Sequence, residues 1–449
     1  MKKKVLSFML VGVLAVGALA GCGSSKSGSK KSSKKSSKNI TASEDEHTLS
    51  VYAWDKNFNI PALEAAEAAY QKKDPDFKLN IIEQSASSDV ETAVTTAGSS
   101  KDYSALPDIV LFQDHYIQRY VHDYPDAWQN IDDANVDWTQ FSQDKIGMST
   151  INGKHYGFPV DNGTVIMAYR TDYLEQAGHS VDEMTGISWA DFEKVAKDVK
   201  DKTGKYMMSM DHSGDDFPYM MLQAEGVSQF KDGKPQLTTE PKVAQVVDVI
   251  AQMAKDETIL LANSWDEYTA SIANDQVAGV FNGNWIIATM KQNKDASGKW
   301  AITTIPTLEG NGQQGYAANG GSSLYITAAC KKADLAKDFL SYTFGGGDGA
   351  IETYDNALKN GGVISTYLPA VQGDTYQQAD DFFGGAKVYA TLMDYSSKVP
   401  AIEQNDFHYE ARTDLGEAIT NVINGTSTKD ALKDAQEKLE FAMEDNSSK

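Results

Sequence analysis

Gly279-Val280-Phe281-Asn282-Gly283-Asn284-Trp285 is the stretch whose reading decides the fold. Two apolar strand formers run into Asn-Gly-Asn, and a tryptophan follows as helical periodicity begins. A strand that hands over to a helix is the repeating step of open α/β sheets, where ligands bind outside the carboxyl ends of the strands. Trp285 therefore has two readings at this point: a core anchor under the following helix, or a flat ring at a binding cleft.

Working outward, the same alternation fills the chain. Leu49 to Trp54 reads as a strand, Ile60-Pro61 as a helix start, Phe77 to Glu83 as a second strand, Asp89 to Ala97 as a helix and Asp108 to Phe112 as a third strand. Strands alternating with helices predict a parallel sheet with covered faces. The loops 55–59, 85–88 and 113–116 should then open on one edge. Asn152 to Pro159 reads as a hairpin turn and short strand, and Val160 to Tyr169 as a passage long enough to enter a second lobe. Ser188, with Asp191 three residues on, caps a helix that stops at Gly204. Tyr206 to Met210 is strand-like, Asp211 to Pro218 a polar loop, and Val277 to Phe281 delivers the opening stretch. Trp300 to Pro306 is a second long β-type passage. From Asp380 to Glu444 the pattern is helical, with a polar loop from Glu403 to Tyr409. Phe344-Gly-Gly-Gly-Asp-Gly349 lacks phosphate-loop spacing, which argues against a nucleotide site.

The amino terminus has another character. Three lysines (Lys2, Lys3, Lys4) precede an apolar run from Val5 to Ala20, the pattern of a secretory signal over residues 1–21. Leu19-Ala20-Gly21-Cys22 resembles the bacterial lipobox, which implies lipidation at Cys22. Only Gly, Ser and Lys occur from Gly23 to Lys38, so residues 22–45 read as a flexible leash that cannot bury apolar area. Of 41 basic side chains, nine fall in the first 38 residues, leaving 32 against 63 acids, a formal charge of −31 beyond the leash. Nucleic acid is disfavoured as a partner. About 400 residues are more than one core usually supports, so two lobes are expected. Cys330, the second of two cysteines, reads as a buried thiol. The seven histidines are scattered without metal-ligand spacing, so neither metal nor cofactor is expected.

The ordered set Val51-Tyr-Ala-Trp-Asp55, Leu106-Pro-Asp-Ile-Val110, Gly153-Lys-His-Tyr-Gly-Phe-Pro159, Gly279 to Trp285, Ile305-Pro306, Gly320-Gly-Ser-Ser-Leu-Tyr325 and Ala336-Lys-Asp-Phe-Leu340 resembles the family 1 extracellular solute-binding proteins of ATP-driven (ABC) sugar importers, the group that includes maltodextrin-binding protein. The resemblance implies a two-lobed, periplasmic-binding-protein-like α/β fold of type II. Its ligand cleft lies between the lobes, which are joined by three crossings, near Asp161 to Thr164, Thr303 to Pro306 and Gly362 to Tyr367. The first lobe would be residues 46–162 with 306–362, the second 163–305 with 363–446.

It also implies a monomer, anchored outside the cytoplasmic membrane, that captures a sugar or oligosaccharide without chemistry and presents it to membrane permease subunits. Maltodextrin itself is not the expected ligand, because His408 stands where such binders tend to have tryptophan. A sugar site needs flat rings and side chains that take two hydroxyls at once. Trp285 is the candidate platform. Candidate contacts from the first lobe are Asp55, Asn57, Phe58, Asp114, His115, Asp161 and Asn162. From the second come Asp215, Asp216, Phe217, Tyr219, His408 and Tyr409, with Gly320 at the Gly-Gly turn. Two other readings stay open: a receptor for a peptide or amine, since Asp215 and Asp216 could pair with an ammonium, and a secreted glycosidase using paired carboxylates.

Overall fold

The computed structural model describes residues 42–43, 45–56, 58–211 and 216–447. Cys22, Asn57 and Asp215, like the signal and nearly all of the leash, lie outside them. Strand Thr48–Ala53 is the hub of the first sheet, parallel to Lys78–Glu83 on one side and Ile109–Gln113 on the other. Its alternation sends Leu49, Val51 and Ala53 into a core with Ala62, Leu63 and Ala66 of helix Asn59–Tyr70. Tyr52 turns to the opposite face with Val90 and Val94 of helix Ser87–Ser100. Buried Asp108 accepts the Ser50 N–H at 2.8 Å and the Ser50 hydroxyl at 2.9 Å, which ties the start of the third strand to the first.

Within this sheet the parallel expectation holds for these three strands only. Ser322–Ile326 runs antiparallel to Ile109–Gln113, and Gly157–Pro159 closes the sheet antiparallel to Ser322–Ile326. One comes out of the hairpin Thr150–Ile151 with Lys154–His155, and the other returns from the second sheet, so nothing imposes a parallel direction.

In the second sheet Val165–Arg170 lies between Gly279–Gly283 and Trp300–Thr303, antiparallel to both. Met208–Met210 and Ile259–Leu261 pair in parallel beside it, joined through the bridge of Tyr206 to Val277. Met167, Tyr169 and Phe281 pack against Trp189 and Phe192 of helix Trp189–Thr203 and Leu415 of helix His408–Ile423 in one core. The expected cap is present: the Ser188 hydroxyl accepts the Asp191 N–H at 3.0 Å. Ser188→Ala should lower stability by about 1 kcal/mol, measured as a shift in the urea midpoint with unchanged slope.

The chain leaves the first sheet after Pro159 and enters the second at Val165. Beside that segment runs the return. Thr164 bridges Ala318, the Asn319 N–H donates to the Gly163 carbonyl at 2.8 Å, and the Val165 N–H donates to the Ala317 carbonyl at 2.9 Å. Gly163 has φ +62°, and a Cβ there would collide with the Asn319 carbonyl, so only glycine lets the two segments approach. The return expected at Thr303 to Pro306 is drawn later, at Ala317 to Gly321. Ile305 pairs with Gly315, Thr307 bridges Ser188, and the Leu308 N–H reaches the Glu225 carboxylate at 2.7 Å, which keeps residues 305–315 on the second sheet's side. Near the expected third crossing, the Ser142 N–H donates to the Thr366 carbonyl at 3.1 Å. Cys330 is buried, and burial pushes its thiol up to about 12. No helix among the described residues is long and apolar enough to cross a membrane.

Candidate ligand-binding site

Strand Gly279–Gly283 passes directly into a single 3-10 turn, Asn284–Ile286, and this handover sets Trp285 at the crossing point. The indole N–H donates to the Asn319 carbonyl at 3.1 Å. A Cβ on Gly283 would collide with the indole, so the ring depends on that glycine to lie where it does. Gly320 and Gly321, at φ +97° and +96°, carry the returning chain past it in a conformation that L side chains rarely adopt. Below the ring a chain of amides is satisfied: the Asn282 side chain donates to the Tyr268 hydroxyl at 2.9 Å and accepts from Asn319 Nδ2 at 2.8 Å. Trp285 remains part-exposed, and Trp265 stands beside it with ring centroids 5.6 Å apart and planes inclined by 43°.

From Asn319 a continuous row of contacts leads to the other candidates. Arg412, buried on helix His408–Ile423, reaches Asn319 Oδ1 at 3.4 Å and pairs with Asp216. Its guanidinium lies 4.4 Å from the Tyr219 ring centre and 5.4 Å from that of Tyr409. Tyr409 stacks on Tyr116 at 4.3 Å and on His115 at 5.7 Å. His115 and Tyr116 belong to helix Asp114–Asp123 beside the first sheet, and Tyr409 to a helix of the second core, so this stack closes one side on the other. Arg119 with Glu410 and His122 with Asp406 (2.7 Å) repeat the closure nearer solvent. A concavity of about 550 Å³ opens there, lined by His115, Tyr116, Arg119, Tyr409 and Glu410; it does not reach Trp285.

Electrostatics in this row are those of desolvated groups. His408 is buried edge-on against Tyr219, 4.9 Å between ring centres, and neither ring nitrogen has a hydrogen-bond partner. Burial, then the Arg412 charge, takes its pKa down to about 3, and burial takes that of His115 well below the ordinary imidazole range. The folded protein thus binds fewer protons at His408 than the unfolded chain between about pH 6.5 and 3, so stability falls as pH drops through that window, with a limiting slope of about 1.4 kcal/mol per pH unit. Asp161, raised by burial to about 6, works oppositely below that pH. His408→Phe should lose less stability than wild type as pH falls from 7 to 4 in urea titrations, so that the difference between the two changes steadily with pH; an unchanged acid slope would refute a neutral His408.

Several candidates are committed to structure. Asp114 is 1% exposed and paired with Lys145, and it accepts the Ser323 hydroxyl at 2.7 Å and the Tyr325 hydroxyl at 3.3 Å. Burial raises its pKa against the pull of Lys145 and those hydroxyls. Asp161 accepts the Ser322 N–H at 3.0 Å, and Asn162 donates to the Ser396 hydroxyl at 2.5 Å, tying the first crossing to helix Val388–Ser396. Phe217 is core, edge-on to Phe281 at 5.1 Å. Asp55 and Phe58 lie part-buried in the turn before helix Asn59–Tyr70.

Three expected loops are helix starts: helices open at Asp114, Asp216 and His408. At Asp114 and Asp216 an acid at the first position suits the helix dipole, which is why polar residues there read as loop. The sequence reading missed Arg412, Lys145, Asn319 and Trp265. Arg412 had a signal, standing three residues beyond Tyr409 on one helix face; Lys145 had none, since its partner is 31 residues away.

Known proteins share this fold. The chain is 32% identical over 386 residues to a lactose-binding protein of Rhizobium radiobacter, covering 86% of this chain and 90% of that one. It is 22% identical over 357 residues to an arabinooligosaccharide-binding protein of Halalkalibacterium halodurans, covering 76% and 78%. The fold matches the ABC-transporter-associated binding protein of B. animalis subsp. lactis in complex with β-1,6-galactobiose at a TM-score of 0.71, with 22% identity, covering 89% of this chain and 98% of that one. It also matches the GacH receptor of Streptomyces glaucescens, solved unliganded and with acarbose, at 0.72 with 16% identity, covering 87% and 98%. Two α/β lobes with the cleft at their crossings are therefore the architecture of this chain. The family model of the bacterial extracellular solute-binding proteins matches residues 65–383, a span that takes in the second sheet, all of the first but its strand Thr48–Ala53, and the glycine-lined crossing beneath Trp285, and the chain belongs to that family.

Proposed function

We propose that this protein captures a short oligosaccharide between its lobes and delivers it to the permease of an ABC importer. The observation that carries the reading is Trp285: an indole held by its N–H and a facing glycine, with a face left open where the lobes meet. Such a ring offers a sugar its C–H face, and the row from Asn319 through Arg412 to Tyr409 offers amide, guanidinium and hydroxyl groups to the hydroxyl belt. The relatives named for lactose and arabinooligosaccharides, and the solved complex with galactobiose, support small glycans as the class.

Capture works by population shift. A ligand that touches both sides only when they are closed favours the closed state, in which Tyr409 stacks on Tyr116 and His115. Site contacts proposed are Trp285, Gly320, Asp216, Tyr219, Tyr409 and His115, with Arg412 and Asn319 added; Asp114, Asp161, Asn162, Phe217 and His408 position them. No step breaks a bond in the ligand. The first lobe is drawn from residue 46 to 162 and from the return at 317 to 362, with the remainder as the second. Lipid on Cys22 and the leash to residue 45 would hold a monomer at the outer face of the membrane. A thermal-shift screen over galactosides, arabinooligosaccharides, maltodextrins, peptides and polyamines tests the reading. A rise in melting temperature confined to saccharides supports it, because a ligand that binds only the native state stabilises that state; a rise confined to peptides or amines replaces it.

A further inference from the structure

We infer that Trp265 is a second ring platform, continuous with Trp285, and that the site is built for a saccharide of at least two rings; the inference rests on the sugar reading above. Trp265 is 45% exposed, although its indole is among the most apolar surfaces the chain could bury. It does not hang free. Its ring lies 5.6 Å from Trp285 and 5.2 Å from Tyr268, inclined by 43° and 37°, so it is the middle of three aromatic rings in contact, and it faces water.

The helix that carries Trp265 is locked at its first turn. The Ser264 hydroxyl accepts the Glu267 N–H at 3.2 Å, and the Glu267 carboxylate accepts the Asn263 N–H at 2.7 Å and its amide at 2.8 Å. Tyr268, one turn along, is buried and held by Asn282, the residue that also holds Asn319 under Trp285. One hydrogen-bond network thus holds the Trp285 indole and, through Tyr268, the helix that carries Trp265. Preorganised rings spare a ligand the entropy of ordering them. A single pyranose covers one indole; the tilted pair presents two facets at a spacing of the order of successive rings in a glycosidically linked chain. The second ring of a disaccharide, inclined to the first, is the occupant these facets fit.

The test is calorimetric titration of wild type, Trp265→Ala, Trp265→Tyr and Trp285→Ala with galactose, lactose and β-1,6-galactobiose, galactose being measured by displacement of the disaccharide. Trp265→Ala should weaken the disaccharide that binds by about tenfold and leave galactose unchanged, Trp265→Tyr should recover most of the loss, and Trp285→Ala should weaken both. Circular dichroism and the melting temperature check that the exposed substitution leaves the fold intact. If Trp265→Ala binds the disaccharide as wild type does, or weakens galactose equally, the second platform is wrong while the sugar reading stands. If wild type binds none of the three but the wider saccharide panel raises its melting temperature, the same comparison is made with the shortest and longest binders of that panel. If no saccharide binds, both fall together.

Discussion

Lys145→Met is expected to lower folding stability by about 3–5 kcal/mol, read as a shift of the urea midpoint. Lys145 is 1% exposed, its ammonium is paired with Asp114, and it also donates to the Ser322 carbonyl at 2.8 Å. Methionine keeps the volume but strands a buried carboxylate and a carbonyl together. Two features separate this from a packing defect. With the ammonium gone, burial would hold Asp114 protonated in the folded state at a pH where the unfolded chain releases the proton; the variant should therefore regain stability relative to wild type as pH falls. The double variant Lys145→Met with Asp114→Asn should be more stable than Lys145→Met alone, since no unpaired charge remains. A double variant no better than the single one would show that the pair is not what Lys145 contributes.

Trp285→Ala is expected to weaken binding of the captured saccharide by roughly thirtyfold, or about 2 kcal/mol. The ring is held on its edge by Asn319 and flanked by Gly283 and Gly320, so its removal takes away a preorganised surface rather than a mobile one. Calorimetry gives the affinity, and the melting temperature of the unliganded protein gives the control. The Trp285 side chain is only part-buried, so the apo protein should lose far less than the complex does. Unchanged affinity would move the ligand from this ring to the cavity beside Tyr409.

How much of this was legible in the sequence depended on the range of the interaction. The strand from Leu49, the cap at Ser188 and the handover at Trp285 are local patterns of period and capping, and the structure keeps all three. The direction of Ser322–Ile326 was not legible, because it depends on the route by which the chain returns rather than on its own residues. The return was expected too early for a related reason: Trp300 to Pro306 has the composition of a crossing, yet Ile305 is retained by Gly315 and Thr307 by Ser188, contacts that no local window contains. Asp114 shows the same limit within the site. As a carboxylate after a strand it looked like a ligand contact, and only the distant Lys145, Ser323 and Tyr325 reveal it as buried structure. His115 and Tyr409 were named from opposite ends of the chain, and the stack that joins them is a product of closure.

The central claim is that a saccharide is held between the lobes on the face of Trp285. A crystal structure of the protein with the tightest binder of the saccharide panel tests it most directly. The account predicts a pyranose ring lying flat over the Trp285 indole at van der Waals distance, about 4 Å, with its hydroxyls within hydrogen-bond reach of groups in the row from Asn319 to Tyr409. A saccharide seated elsewhere, with the Trp285 face bare, would contradict it.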